Sequence, residues 1–198
     1  MHPASSGAAN SSAGFILIGG GSTRMGNDKA LLPFGGDVLV THIAYAVKGA
    51  AGSVHLVGPP ARYGHLGLPV IPDLYPGFGP VGGVVTALTA SGAEWNLIVA
   101  CDMPAVTAEF LDALLREARK SGAQCVLPVT PDGRRHPLCA VYHRSAREPL
   151  AHAVAKGTHR LLTAIEALSL HLHPVSATDS LVNVNTPTEW KTFQNAAD

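Results

Sequence analysis

The sequence predicts an α/β fold in which a mostly parallel sheet lies between two layers of helices, with an antiparallel excursion in its second half. Three observations support this prediction. Short apolar runs alternate with amphipathic, helix-like segments along the chain. Glycine, proline or capping residues stand at many of the boundaries between them. Late in the chain, the turn signal Asp132-Gly133 separates two strand candidates that we expect to run antiparallel.

The predicted strands are short runs rich in apolar and β-branched residues. The first, residues 15–18, leads into a glycine-rich segment, and the most apolar is residues 95–100. The remaining strands are predicted at residues 53–57, 68–71, 124–129, 138–142 and 171–175.

The predicted helices have apolar residues on one face, and several have a recognisable first residue. Thr107 is a candidate N-cap, and Thr186, Pro187 and Glu189 form the pattern of a capping box. The helices are predicted at residues 37–50, 82–90, 107–120, 145–156 and 158–168, with a last one starting at Pro187.

Length and composition indicate one domain with no global charge. The chain has 198 residues, of which 46% are hydrophobic, enough for a substantial core. Residues 1–13 are rich in Ser, Ala, Gly and Asn and are expected to form a disordered leader before a single domain at 14–198. Fourteen basic and fourteen acidic residues cancel, which argues against binding to nucleic acid or to an anionic membrane.

The absence of targeting signals from the sequence and its use of cysteine both favour a cytoplasmic protein. We find no apolar stretch of membrane-spanning length, and the first cation is Arg24, which leaves no basic start for a signal peptide. Cys101, Cys125 and Cys139 are odd in number and scattered, so we expect free, buried thiols rather than disulfides or a zinc site.

The segment from Ile18 to Lys29 has the composition of a polyphosphate-binding loop. Its glycines permit close approach of the backbone N–H groups to an anion, and its two cations can neutralise phosphates. A P-loop is excluded because Asn27 and Asp28 stand where lysine and a hydroxyl residue are required. A dinucleotide fingerprint does not fit either, and the remaining alternative is a surface loop with incidental charges. The residues that would contact the anion are Ile18, Gly19, Gly20, Gly21, Arg24 and Lys29.

Further polar residues follow the predicted strands, where ligands bind in open α/β sheets. Asp102 follows the most apolar strand and is either a helix cap or a magnesium ligand. Asp73 leads into a second loop of glycine and proline that either walls a planar base or turns the chain. Asn183 and Asn185 are either turn residues or amide ligands of the metal.

Two other groups have a less defined chemistry. The loop Arg134-Arg135-His136 is either solvated or contacts an acidic substrate. His171 and His173 would share one face of a strand, but we find no third ligand nearby in the sequence, which disfavours a metal site.

Taken together, the motifs resemble those of the molybdenum cofactor guanylyltransferases. The resemblance runs from about Gly14 to Trp190 and follows the family's order. The shared motifs are Gly-Gly-x-Ser-x-Arg-Met-Gly-x-Asp-Lys, Gly79-Pro80-x-Gly82-Gly83, Cys101-Asp102-x-Pro104, Asp132-Gly133 with His136-Pro137, and Asn183-Val-Asn-Thr-Pro187.

The resemblance implies a Rossmann-like nucleotidyltransferase fold of three layers and an enzyme that joins GMP from magnesium GTP to molybdenum-molybdopterin, releasing pyrophosphate. Carried over by motif, the backbone at Ile18, Gly19 and Gly20 would meet the nucleotide, and Arg24 and Lys29 its phosphates. Asp73 would contact the nucleotide, Asp102 would bind Mg²⁺, and Asn185 would complete the metal site. Other cofactor-biosynthesis proteins and acceptor molybdoenzymes are the expected protein partners.

Two departures from the family pattern keep alternatives open. The family usually has Leu-Ala-Gly-Gly where this chain has Ile18-Gly-Gly-Gly21, and the related cytidylyltransferases typically have Leu-Ala-Ala-Gly. Gly20 therefore favours guanine, with CTP as the alternative substrate. An asparagine of some members is replaced around Gly58, so no nucleotide contact is assigned there. A non-catalytic nucleotide-binding homologue is the other alternative.

Overall fold

The computed structural model describes residues 11–18, 28–176 and 181–197. Within these ranges strands and helices alternate along most of the chain. Their bounds are β1 Ser12–Leu17, β2 Pro33–Phe34, β3 Asp37–Val38, α1 Leu39–Ala51, β4 Val54–Val57, α2 Pro60–Tyr63, β5 Val70–Ile71, α3 Gly79–Ala90, β6 Trp95–Ala100, α4 Ala108–Ser121, β7 Cys125–Val129, β8 Cys139–His143, α5 Arg147–Ala155, α6 Leu161–Ile165, β9 Leu170–Pro174 and α7 Pro187–Ala197.

Seven of the strands form one sheet in the order β5-β4-β1-β6-β8-β7-β9. Strands β5, β4, β1 and β6 run parallel to one another, β8 is antiparallel to both of its neighbours, β6 and β7, and β9 is parallel to β7. This topology confirms the mostly parallel sheet and the antiparallel excursion. It also places the carboxyl ends of β5, β4, β1 and β6 along one edge of the sheet.

Helices cover both faces of the sheet, as the alternation of strands and helices predicts. On one face, Ile16 and Leu97 pack in a core that includes residues of α1 and α4. On the other face, Phe15 and Ile98 pack with residues of α3, α5 and α6. Neighbouring residues of β1 and β6 therefore belong to opposite cores, which makes the fold three-layered.

Several predicted boundaries are confirmed. Strand β6 spans the predicted residues, Trp95–Ala100. Thr107 caps α4, since its side chain accepts from the Phe110 N–H at 3.2 Å. The capping box at α7 is complete: Glu189 Oε2 accepts from the Thr186 N–H at 3.0 Å, and Thr186 Oγ1 accepts from the Glu189 N–H at 3.2 Å.

The prediction that a helix begins at residue 37 is wrong. Asp37 lies in a short hairpin, where it pairs with Phe34 across a two-residue turn. Gly35 and Gly36 occupy that turn with φ angles of 57° and 86°, which suits the type I′ geometry of tight hairpins. Helix α1 therefore begins two residues later, at Leu39.

Two other boundaries differ for local reasons. Strand β1 begins at Ser12, inside the segment assigned to the leader, because Ser12 pairs with Trp95 of β6. Helix α6 begins at Leu161 rather than at residue 158. The Thr158 N–H donates to Ala153 O at 2.9 Å and the Gly157 N–H to Val154 O at 2.9 Å, a Schellman arrangement that ends α5.

Among the helices of the described residues, none combines the length and the apolar character that crossing a bilayer requires.

Candidate active site

The ends of strands β1, β5 and β6 bring three predicted site residues to the same edge of the sheet. Ile18 directly follows β1 and is buried, and its N–H donates to Val57 O of β4 at 3.0 Å. Asp102 follows β6, and Asp73 follows β5. Gly19, Gly20, Gly21 and Arg24 lie outside the described residues.

Lys29, Asp102 and Asn185 form a polar cluster at this edge. The Lys29 ammonium donates to Asn185 Oδ1 at 2.7 Å and lies 3.7 Å from Asp102 Oδ2. The side chains of Lys29 and Asp102 are only 14% and 20% exposed, so their attraction is screened less than that of a surface pair. Two oxygens from distant parts of the chain therefore face one cation.

The segment that carries Asn185 is held against β6 by Asp102 itself. The Val184 N–H donates to the Asp102 backbone oxygen at 2.8 Å, and Asn183 Nδ2 donates to Asp102 Oδ1 at 2.9 Å. The side chains of Leu181 and Val184 are buried in the core beside this contact. Asn183 thus orients the Asp102 carboxylate, while Asn185 presents its oxygen to Lys29.

Asp28 fixes the chain immediately before Lys29. Its Oδ1 accepts from the Ala30 N–H at 3.1 Å and caps the 3-10 helix Lys29–Leu31. Its Oδ2 lies 2.7 Å from Arg62 Nε and accepts from the Tyr63 hydroxyl at 2.7 Å. Lys29 is therefore positioned by a neighbour whose carboxylate is itself held by two residues of α2.

Tyr63 contacts both ends of the glycine-rich segment. Besides donating to Asp28, its hydroxyl lies 3.2 Å from the carbonyl oxygen of Ile18. Burial, and then the hydrogen bond to Asp28, raise the pKa of Tyr63 well above its usual value, so the hydroxyl keeps its proton. Arg62 and Tyr63 were not predicted as site residues, since the sequence signal near them is no more than Pro60 at the start of α2.

Asp73 makes a separate set of contacts. Its Oδ1 accepts from the Thr86 hydroxyl at 3.0 Å and from the Tyr75 N–H at 2.9 Å. Strand β5 lies three strand spacings from β6, or about 14 Å. The structure therefore places Asp73 at the same edge as Asp102 but not in the Lys29 cluster.

The Gly82 and Gly83 pair lets α3 approach the loop and the sheet closely. A Cβ at Gly82 would lie 2.9 Å from both the Cβ and the carbonyl oxygen of Tyr75, and a Cβ at Gly83 would lie 3.1 Å from Leu17 Cδ1. The same helix carries Thr86, which bonds Asp73. These glycines therefore have a packing role that helps to fix Asp73.

The loop between β7 and β8 contains two exposed arginines and one buried histidine. Arg134 and Arg135 are exposed, whereas His136 is only 7% exposed and its Nε2 lacks a hydrogen-bond partner within the described residues. Burial, and then the nearby Arg134, lower the pKa of His136. The predicted turn is confirmed, since the Gly133 N–H donates to Thr130 O at 2.8 Å.

The three-layer α/β fold brings a lysine, an aspartate and an asparagine together at the carboxyl edge of its sheet. The protein's solved neighbours have the same fold. Molybdopterin-guanine dinucleotide biosynthesis protein A from Archaeoglobus fulgidus superposes with a TM-score of 0.82 at 25% identity, covering 93% of this chain and 98% of that one. The 2-C-methyl-D-erythritol 4-phosphate cytidylyltransferase of Thermus thermophilus, at 19% identity and a TM-score of 0.71 over 92% and 97% of the two chains, shares the fold.

The chain belongs to the MobA-like NTP transferase domain family, whose profile matches residues 14–174. It is 30% identical over 182 residues to a probable molybdenum cofactor guanylyltransferase of Flavobacterium johnsoniae, covering 86% of this chain and 95% of the relative. A protein of the same name from Mycobacterium marinum is 34% identical over 184 residues, or 90% of each chain. The protein is therefore an enzyme of nucleotidyl transfer in molybdenum cofactor biosynthesis, as its motifs predict.

Proposed function

We propose that this enzyme transfers GMP from magnesium-bound GTP to the terminal phosphate of molybdenum-molybdopterin. An oxygen of that phosphate attacks the α-phosphorus of GTP, the bond from the α-phosphorus to the bridging oxygen breaks, and pyrophosphate leaves. A phosphate monoester is already largely anionic at neutral pH, so the reaction needs alignment and charge neutralisation more than a protein base.

The observation that carries this proposal is the convergence of Asp102 Oδ2 and Asn185 Oδ1 on the Lys29 ammonium, at 3.7 and 2.7 Å. The site holds a cation between two oxygens, and the cation is on a flexible side chain. A mobile lysine suits the charge of a triphosphate and of the departing pyrophosphate.

The same donor set fits Mg²⁺. Carboxylate and amide oxygens are hard ligands, and one or two of them with substrate phosphates satisfy this ion. Asp102 and Asn185 would hold it, and Asn183 would keep the Asp102 carboxylate in orientation through their 2.9 Å hydrogen bond. When bound, Mg²⁺ would supply charge to stabilise the phosphoryl oxygens in the transition state.

The other nucleotide contacts are proposed from the motifs of the sequence and, for Asp73, from the order of the strands. The backbone of Ile18, Gly19, Gly20 and Gly21 would cradle the nucleotide, and Arg24 would pair with its phosphates. Asp73 would meet the nucleoside end, because it follows β5, a strand that lies about 14 Å across the sheet from β6. Its orientation is supported by the bonds from Thr86 and Tyr75.

The acceptor would approach from the side of the β7–β8 loop. Arg134 and Arg135 are exposed there and offer charge to an acidic substrate. A cytoplasmic location belongs to the same proposal, because all three cysteines are free. Release to an acceptor molybdoenzyme, or to another protein of cofactor biosynthesis, would complete the reaction sequence.

A substrate comparison tests the proposal directly. The protein is incubated with Mg²⁺, molybdenum-molybdopterin and either GTP or CTP, and pyrophosphate release is measured. Release with GTP that depends on the acceptor is the expected result. Release with CTP alone would identify a cytidylyltransferase and overturn the base assignment, whereas no release with either would favour a non-catalytic nucleotide-binding protein.

The Asp102→Asn variant tests the metal site within the same assay. It keeps the shape of the side chain but removes the charge, so turnover should fall by about 10²–10³-fold. Asp112→Asn is the matched control, because Asp112 forms an exposed pair with Arg116 on α4. Equal turnover in the two variants would show that Asp102 is not a ligand of the catalytic metal ion.

A further inference from the structure

A cluster of metal-ligating side chains lies outside the candidate active site. Glu117 on α4 and His171 and His173 on β9 each offer one ligand atom, and these three atoms lie within 4.8 Å of one another. The sequence shows no third ligand candidate near the two histidines, because Glu117 is distant in the chain and the fold brings it close to them.

The register of the sheet explains why Glu117, His171 and His173 lie close together. Strand β9 is parallel to β7, and His171 pairs with Val126. Val126 packs in the core on the α1 and α4 side, so its neighbour His171 faces the same layer. His173 follows two residues later and shares that face, and α4 places Glu117 above it.

We propose that Glu117, His171 and His173 form a binding site for a divalent transition-metal ion of the zinc type. Two imidazoles and one carboxylate are a common three-residue ligand set for Zn²⁺, with water in the remaining position. His171 Nε2 already lies 3.3 Å from Glu117 Oε1. Two ligands at 2.0–2.1 Å from a tetrahedral ion are separated by about that distance.

A small movement of the three side chains would bring their ligand atoms to zinc-binding distance, and the site is accessible from solvent. The three ligand atoms already lie within 4.8 Å of one another, and we expect rotation of the side chains to bring them to the spacing of zinc ligands. The His171 and Glu117 side chains are 36% and 28% exposed, and β9 is an edge strand of the described sheet. A half-buried pair of a histidine and a carboxylate is expected to contribute little stability by charge alone, so a bound ion would link β9 to α4 more strongly than the pair does.

This site is separate from the nucleotide site. Strands β8 and β7 lie between β6 and β9, which puts β9 about 14 Å from the strand that precedes Asp102. The ligand chemistry differs as well, because imidazole suits Zn²⁺ while Mg²⁺ prefers oxygen ligands. Zinc binding here is therefore expected to persist in excess Mg²⁺.

Calorimetric titration of the untagged, chelator-treated protein with ZnCl₂ in excess MgCl₂ tests the proposal. We expect one saturable site whose zinc affinity falls at least about tenfold in His171→Ala, His173→Ala and Glu117→Gln. His152→Ala, an exposed histidine on α5, is the matched control and should retain it. Absence of a saturable site, or equal zinc affinity in the ligand variants and the control, would overturn the assignment.

A second measurement uses the parent protein, so that a folding defect in a variant cannot be mistaken for loss of zinc binding. Zinc should protect His171 and His173, but not His152, from acylation by diethyl pyrocarbonate, as read by mass spectrometry of peptides. Unchanged acylation of all three histidines would also overturn the proposal. Nucleotidyl transfer should be retained in His171→Ala, since neither the proposed reaction nor its metal ion uses this strand.

Discussion

The Lys29 ammonium donates to Asn185 Oδ1 at 2.7 Å although 156 residues separate the two in the chain. The fold creates this contact by two anchors. Asp28 caps the short helix that begins at Lys29, and the Val184 N–H binds the backbone oxygen of Asp102 at 2.8 Å. The first and last motifs of the chain therefore meet at the end of β6.

Replacing Lys29 with methionine tests the importance of this ammonium. The variant keeps the length of the side chain and removes its charge, so kcat/KM for nucleotidyl transfer should fall by about 100-fold while the protein stays folded. Steady-state pyrophosphate release measures the effect. Lys48→Met, at an exposed position on α1, is the control and should match the parent protein. Unchanged kcat/KM in Lys29→Met would refute the phosphate role of Lys29.

The contact of Tyr63 with both Asp28 and Ile18 leads to a second prediction. Tyr63→Phe removes a hydroxyl that donates to a carboxylate at 2.7 Å inside a largely buried environment. The free energy of unfolding should fall by about 1–3 kcal/mol, and KM for the nucleotide should rise because the ends of the glycine-rich segment are less well held. Urea denaturation and initial rates measure the two effects.

Tyr45→Phe provides the control for that substitution. Tyr45 is 71% exposed, so removal of its hydroxyl in Tyr45→Phe should change the free energy of unfolding by no more than about 0.5 kcal/mol. Indistinguishable stabilities of the two variants would show that the Tyr63 hydroxyl does not hold the segment.

Much of the fold could be predicted because its signals are local. The apolar run at β6 and the capping residues Thr107 and Thr186 act within a few residues, so their boundaries agree with the structure. The β2–β3 hairpin was missed although Gly35-Gly36 is itself a turn signal, because the strands are only two residues long.

The residues of the candidate site could be predicted one by one, but the contacts between them could not. Lys29, Asp102 and Asn185 were identified because each stands in a motif at a strand or loop boundary. The support from Tyr63 to Asp28 depends on how α2 packs, and the approach of Glu117 to His171 depends on sheet register. Neither is encoded in the spacing of residues along the chain.

Close packing at Gly82 gives a third prediction. In Gly82→Ala the added methyl group would lie 2.9 Å from the Tyr75 backbone oxygen, so α3 and the loop that carries Asp73 must move apart. We expect a loss of about 1–3 kcal/mol in unfolding free energy and a higher KM for the nucleotide. Gly92→Ala is the control, because its added methyl group would meet no atom within 4 Å. A Gly82→Ala protein as stable as this control would contradict the packing role.

The buried thiols of Cys125 and Cys139 give a fourth prediction, on pH dependence. Burial raises the pKa of both thiols from 9.0 to about 12, since the thiolate is poorly solvated inside the sheet. The folded protein therefore keeps protons that the unfolded chain releases between pH 9 and 12. The resulting stabilisation is fully present below pH 9 and is lost as the pH rises toward 12.

Urea denaturation from pH 8 to 10.5 measures this loss. Each of the two thiols should account for about 1–2 kcal/mol by pH 10.5, because each unit of pH above 9 costs up to about 1.4 kcal/mol per group. Other groups also titrate in this range, so the parent protein is compared with Cys125→Ala, which lacks one thiol. The variant should start less stable at pH 8, because it leaves a small cavity, and then lose stability less steeply. Parallel curves for the two proteins would mean that the Cys125 thiol does not resist ionisation in the folded state.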